Sequence, residues 1–321
     1  MARPKVFVSR KIPAAGLDPI LAACDADVWP GRLPPSPAIL QKKVKGCDGI
    51  VSLLTDKIDV AVMDAAGKLK VISNFAVGVN NIDLAAAKAR KIPVGNTPGV
   101  LTEATADIAV TLLLAAARRL GESSIDAKEG RWLTWEPMAW LGADLVGRTL
   151  GIVGMGRIGF ATAKRLHHGW GMKVIYTARS DKPDADRELK AKRVSFEELL
   201  KQSDFVSLHA DLNPTTTGMF GLAQFQQMKP SAVFVNTARG PHVKQDELAK
   251  ALRDGAIFAA GLDVTDPEPL PPSHELYSLP NCVIAPHIAS ATKDTRDAMA
   301  KKCADNLLAG LRGESLPHEV K

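Results

Sequence analysis

The chain predicts an α/β protein of two doubly wound parallel-sheet domains, and three observations carry this. Short apolar runs alternate with helical patterns from residue 6 to residue 310, and strands alternating with helices build parallel sheets covered on both faces. The alternation breaks once, at Asn96-Thr97-Pro98-Gly99, and resumes near Thr149. Beyond the break, the apolar run Leu150-Gly151-Ile152-Val153 passes through Gly154-Met155-Gly156-Arg157-Ile158-Gly159 into Phe160-Ala161-Thr162-Ala163-Lys164-Arg165-Leu166. That order, strand then Gly-x-Gly-x-x-Gly then helix, is the fingerprint of a dinucleotide-binding (Rossmann) domain.

In chain order, Val6-Phe7-Val8 reads as a first strand and residues 13–24 as a first helix. Residues 49–54 are almost continuously apolar, as a strand buried on both faces requires. A helix over 59–66, a strand over 69–74, a helix over 83–90 and the short strand Ile92-Pro93-Val94 complete the first domain. Thr102 then caps a long helix to about residue 120. The segment after it, Gly130 to Trp140, holds three of the five tryptophans, Trp132, Trp135 and Trp140. Exposed tryptophans are costly, so this loop is expected to be covered by a second subunit in a homodimer, intramolecular packing being the alternative.

In the second half, strands are expected at 150–153, 174–177, 205–208, 233–236, 258–262 and 282–285, with helices at 196–202, 246–254 and 292–310. Six strands match a full dinucleotide-binding sheet. The last helix has no strand after it and is expected to pack back on the first domain. That makes the first, substrate domain discontinuous (residues 1–100 and 287–321), with the dinucleotide-binding domain at 101–286.

Bulk properties narrow the function. The 321 residues are 46% hydrophobic and 24% charged, ordinary for a globular protein. A net charge of +6 is scattered, and aromatics are only 5%, so no nucleic-acid surface is expected. No membrane association is expected either, because the apolar stretch over 108–117 is too short to span a bilayer. The N-terminus enters a strand at once with no apolar leader, which reads as cytoplasmic. Cys24, Cys47, Cys282 and Cys303 show no ligand spacing, so they read as reduced packed thiols and no metal site is expected.

Each glycine of the motif has its own task. Gly154 allows the tight turn, Gly156 the approach of a pyrophosphate, and Gly159 close helix–strand packing, while the helix N-terminus offers N–H groups to the phosphates. The next strand ends Ile175-Tyr176-Thr177-Ala178-Arg179-Ser180, with no acid before Asp181. An acid there would bind a ribose 2′-OH; Arg179 and Ser180 instead suit a 2′-phosphate. NADP(H) is therefore the preferred cofactor and NAD(H) the alternative, in which Arg179 simply points into water.

Ligands of open α/β sheets bind beyond the carboxyl ends of the strands. Asn236-Thr237-Ala238-Arg239-Gly240 places an arginine there, suited to a keto-acid carboxylate. Gly261-Leu262-Asp263-Val264-Thr265-Asp266-Pro267-Glu268-Pro269 brings carboxylates, and Cys282-Val283-Ile284-Ala285-Pro286-His287 ends in a histidine. Carbonyl reduction needs a proton for the oxygen as hydride reaches the carbon, which a carboxylate-paired histidine supplies. Taken singly, Arg239 also reads as a structural ion pair, Glu268 as a loop carboxylate and His287 as a satisfied histidine. His209, at another strand end, rivals His287.

Together these ordered motifs, with Val77-Gly78-Val79-Asn80-Asn81-Ile82-Asp83 and Pro286-His287-Ile288-Ala289-Ser290-Ala291-Thr292, resemble the D-isomer-specific 2-hydroxyacid dehydrogenases over the whole chain. Within them the glyoxylate/hydroxypyruvate reductase branch is most similar. The resemblance implies a flavodoxin-like substrate domain that closes with its partner domain over the ligands. His287 would be the proton donor, Glu268 its partner and Arg239 the clamp on a small 2-keto or 2-hydroxy acid. Leu53, Val77 and Gly78 would line the pocket, Ser290 would sit beside the substrate, and Trp140 would reach the partner subunit's site. Thr105, Arg157, Ile158, His209, Thr237 and Asp263 would join the glycines, Arg179 and Ser180 around the cofactor. His209-Ala210-Asp211-Leu212-Asn213-Pro214 departs from the commoner family segment, which leaves the contacts of that loop open. The family also includes phosphoglycerate dehydrogenases and dinucleotide-sensing corepressors, the competing readings of function.

Overall fold

The computed structural model describes residues 2–320, which form two compact units: 2–101 with 291–320, and Thr102–Ser290. The first unit carries β1 (Lys5–Val8), α1 (Ala14–Ala23), β2 (Asp25–Val28), α2 (Pro37–Lys43), β3 (Gly49–Ser52), α3 (Val60–Ala66), β4 (Val71–Asn74), α4 (Leu84–Ala89) and β5 (Val94–Gly95). Its sheet runs β2-β1-β3-β4-β5, every pair parallel, the flavodoxin-like order. Side chains along a strand alternate between faces, and the core divides accordingly. Phe7, Ile50 and Ile72 pack with Leu40, Val62 and Met63 on one face, while Val6, Val8, Val51 and Val71 pack with Ile20 on the other.

The second unit carries α5 (Thr102–Ala117), α6 (Leu120–Lys128), β6 (Thr149–Val153), α7 (Arg157–Trp170), β7 (Lys173–Thr177), α8 (Pro183–Leu189), β8 (Lys192–Arg193), α9 (Phe196–Gln202), β9 (Phe205–Leu208), α10 (Leu222–Phe225), β10 (Val233–Asn236), α11 (Gln245–Arg253), β11 (Ala259–Leu262) and β12 (Cys282–Ile284). The chain then returns to the first unit as α12 (Lys293–Arg312). The second sheet is seven-stranded, in the order β12-β11-β10-β9-β6-β7-β8, and wholly parallel. Strand order reverses between β6 and β9, which places the ligand crevice at their carboxyl ends.

In the first unit α12 packs on the sheet: Met299, Ala300, Cys303 and Leu307 join Val6, Ile20 and Val71 in one core, and Ser73 Oγ donates to Cys303 O at 2.8 Å. The return crossing lies after Ser290. Asp263 is the cause. Its carbonyl accepts from His287 N at 2.9 Å, and its carboxylate from Ile288 N at 2.7 Å and Ala289 N at 2.9 Å, which ties residues 287–289 to β11.

Other differences follow from weak burial. The long helix expected to about residue 120 breaks at Arg119, whose φ of +53° no helix accommodates, and continues as α6, which buries no residue. The strands β2 and β8 were not anticipated; both lie at sheet edges and carry charged residues. All four cysteines are unpaired, and burial pushes the Cys282 and Cys303 thiols up to about 12. Among the described residues, no helix is long and apolar enough to cross a membrane.

Candidate active site

In the second unit the sequence-derived candidates collect at the carboxyl ends of the strands. After β6, Gly154 turns at φ +96°, and a Cβ there would lie 2.6 Å from Ala210 N. Any side chain would collide with the loop after β9. Gly156 is the N-cap of α7, with nothing within 4 Å of a Cβ position. Arg157 and Ile158 follow as the first residues of that helix, and Gly159 packs against Gly154 O. Thr237 Oγ1, after β10, is buried without a hydrogen-bond partner. An open cradle of N–H groups at a 14-residue helix and an orphaned buried hydroxyl fit a dinucleotide. Thr105 is buried on α5, while Arg179 and Ser180 lie exposed beyond β7.

The loop after β10 is shaped by buried Asn236. Its Oδ1 accepts from Ala238 N at 2.9 Å and its Nδ2 donates to Arg239 O at 2.9 Å, so the arginine backbone is held from one residue. Arg239 Nη1 donates to Ala238 O at 2.7 Å. Burial pulls the guanidinium below its usual range, against the opposing charges of Glu268 and Asp211; an arginine stays charged under such a pull. Gly240 then meets the next loop, where a Cβ would stand 1.9 Å from Thr265 O. Only glycine lets the arginine loop approach the loop that carries Glu268.

Glu268 Oε1 and His287 Nδ1 are 2.5 Å apart, with both side chains partly open to solvent. The histidine backbone has φ +54°, in the left-handed region that a non-glycine residue rarely adopts. The Asp263 bonds to the two following N–H groups hold this turn in place. Burial raises the Asp263 carboxyl above its usual range; those N–H groups and His287 oppose the rise. Ser290 lies just beyond, at the end of the unit.

The rival histidine has a different environment. His209 Nε2 lies 2.9 Å from Ser207 Oγ, and desolvation holds its pKa down to about 3. A ring neutral at physiological pH has no surplus proton to give. Sequence reasoning missed the parts played by Asn236 and Gly240, although the run Asn236-Thr237-Ala238-Arg239-Gly240 contained both.

In the first unit, Leu53, Val77 and Gly78 also lie past strand ends, after β3 and β4. Asn74 Nδ2 donates to Gly78 O at 2.9 Å, and Asn81 Nδ2 to Leu53 O at 3.0 Å. Two asparagines thus brace those loops. Trp140 stands with φ +55° and its ring centroid 5.1 Å from the Arg119 guanidinium carbon. The tryptophan loop is not covered by its own chain: Trp132 is 70% exposed, Leu133 88% and Trp135 79%. Two hollows of about 530 and 610 Å³ adjoin Arg119, and neither is lined by Arg239, Glu268 or His287.

Known proteins share this plan. The family described as D-isomer specific 2-hydroxyacid dehydrogenase, NAD binding domain, matches residues 110–289. A model of the Mur ligase family catalytic domain matches residues 38–108, a stretch without the Gly-x-x-x-x-Gly-Lys loop that cradles nucleotide phosphates. A glyoxylate reductase of Korarchaeum cryptofilum is 50% identical over 319 residues, covering 99% of this chain and 96% of that protein. The glyoxylate reductase/hydroxypyruvate reductase of Homo sapiens is 47% identical over 320 residues, covering 99% and 98%. Among solved structures, an NADPH-dependent glyoxylate/hydroxypyruvate reductase of Sinorhizobium meliloti, in complex with NADP and malonate, is similar with a TM-score of 0.88 at 31% identity, covering 99% of this chain and 97% of that one. Matched along nearly its whole length, the chain belongs to the D-isomer-specific 2-hydroxyacid dehydrogenases and is an NAD(P)-dependent enzyme of their glyoxylate/hydroxypyruvate reductase branch.

Proposed function

We propose that the enzyme reduces glyoxylate and hydroxypyruvate to glycolate and D-glycerate, with NADPH as the preferred reductant. The observation that carries this reading is the Glu268–His287 pair at 2.5 Å, with Glu268 on the loop next to the one bearing Arg239. When bound, the reduced nicotinamide supplies a hydride to the keto carbon. The chain's own residues do the rest. Glu268 occupies Nδ1 and fixes the ring, so Nε2 is the atom from which His287 gives a proton to the keto oxygen. Arg239 takes the substrate carboxylate as a planar fork, with Ser290 beside it. Leu53, Val77 and Gly78 are assigned to substrate binding, and their apolar character suits a small acid.

The cofactor is assigned to Gly154, Gly156, Arg157, Ile158, Gly159, Thr105, His209, Thr237 and Asp263. Arg179 and Ser180 select the 2′-phosphate. The nicotinamide dependence of the Sinorhizobium meliloti relative, named for NADPH, supports that choice. The exposed tryptophans support a homodimer in which the loop of one subunit lies on the other and Trp140 reaches the partner's site.

A panel of 2-keto acids assayed with each reduced cofactor tests the reading. Glyoxylate and hydroxypyruvate are expected to turn over, with kcat/KM higher for NADPH than for NADH. Saturable NADPH binding without turnover on any 2-keto acid would overturn it in favour of a dinucleotide sensor.

A further inference from the structure

The two-residue edge strand β8 ends in Arg193, and the side chain of Arg193 reaches back to the loop after β7. Its Nε donates to Ala178 O at 3.0 Å, Nη2 to Arg179 O at 3.2 Å and Nη1 to Asp181 Oδ1 at 3.0 Å. The far end of the same loop is pinned from inside: Lys182 N donates to the hydroxyl of buried Tyr176 at 2.9 Å, and that hydroxyl donates to Asp186 at 3.0 Å. Backbone pairing sets the register, with Arg193 opposite Tyr176 and Val194 N donating to Tyr176 O at 2.9 Å.

This loop carries Arg179, Ser180 and Asp181 in succession. An acid just past the second strand repels a 2′-phosphate and favours a free ribose hydroxyl. Asp181 is an acid four residues past the end of β7, and its side chain is 73% exposed. One guanidinium engages its carboxylate and two carbonyl oxygens of the loop, three negative ends in all. Arg179, by contrast, is 92% exposed and stands 3.7 Å from the equally open Asp211, a pairing too weak to hold it from an anion.

We propose that Arg193 is a positioning residue for cofactor choice. By taking up Asp181 and the 178 and 179 carbonyls, it leaves the loop presenting Arg179 and Ser180 to the 2′-phosphate with no competing acid. A single exposed ion pair contributes little; three bonds from one planar group hold a loop conformation. The inference rests on the NADPH reading above.

Initial-rate kinetics at saturating glyoxylate test it in the wild-type enzyme, Arg193→Gln, Asp181→Asn and the double variant. Arg193→Gln is expected to raise KM for NADPH by about three- to tenfold while KM for NADH and both kcat values stay within about twofold. Adding Asp181→Asn is expected to restore most of the lost NADPH affinity, which simple damage to the edge strand would not allow. An unchanged NADPH-to-NADH ratio in Arg193→Gln, equal losses with both cofactors, or no rescue by Asp181→Asn would each overturn the proposal. A wild-type enzyme that favours NADH would instead overturn the cofactor reading on which it stands.

Discussion

His287 is held in a backbone conformation that its own side chain disfavours, and the residue responsible is Asp263. Each oxygen of that carboxylate accepts one N–H, from Ile288 and Ala289. An asparagine can accept on one side only and must set its NH₂ against the other N–H. Asp263→Asn is therefore expected to lower kcat for glyoxylate by roughly ten- to a hundredfold through a displaced histidine; an unchanged kcat would remove Asp263 from the positioning of His287. For His209, desolvation holds the ring neutral down to about pH 3. His209→Asn is expected to leave the shape of the pH profile of kcat/KM unaltered from about pH 5 to about pH 9, and a lost limb in that range would make it a proton donor after all. At this scale the sequence was informative about identity and poor about support. The placement of Arg239, Glu268 and His287 beyond strand ends was legible because they follow strand patterns. Asp263 as the brace of a turn was not, since its partners are backbone groups 25 and 26 residues away.

The two units share a device that no motif announces. Asp48 precedes β3 and accepts from Lys5 N at the start of β1; Asp204 precedes β9 and accepts from Thr149 N at the start of β6. In each case the aspartate joins a strand to its sheet neighbour at the amino-terminal edge. Lysines complete the arrangement, Lys68 on Asp48 and Lys229 on Asp204. Burial works against ionisation at both positions, yet the N–H and lysine partners outweigh it and hold both carboxyls below their usual range. A depressed folded-state pKa gives stability that is present above the unfolded value of about 3.9 and is lost as pH falls through the folded value. Asp204→Asn is expected to destabilise the enzyme by about 1–2 kcal/mol near neutral pH. Denaturant unfolding followed against pH should show the gap closing below about pH 4; a gap independent of pH would contradict the account. Central strands and amphipathic helices were legible because burial writes a period into the sequence. The edge strands β2 and β8, paired on one side and charged, and α6, with no buried face, carry no such period.

At the scale of the molecule, the two parallel βα sheets were legible from the alternation alone, because buried strands and amphipathic helices each write a period into the sequence. The tryptophan loop is left open by its own chain. Replacing Trp132 and Trp135 together by alanine is expected to shift sedimentation from dimer to monomer at micromolar protein, since buried tryptophans at interfaces each contribute about 2 kcal/mol or more. A sedimentation coefficient equal to that of the wild type would contradict the proposed homodimer contact through this loop.

The central claim is that the imidazole of His287 gives the proton that accompanies carbonyl reduction. Single-turnover oxidation of pre-bound NADPH by glyoxylate, compared between wild type, His287→Ala and the exposed-histidine control His168→Ala, addresses it most directly. The account predicts retained NADPH binding in all three, with hydride transfer slowed by about a hundred- to ten-thousandfold in His287→Ala alone. Transfer in His287→Ala within about tenfold of the wild-type rate would contradict it.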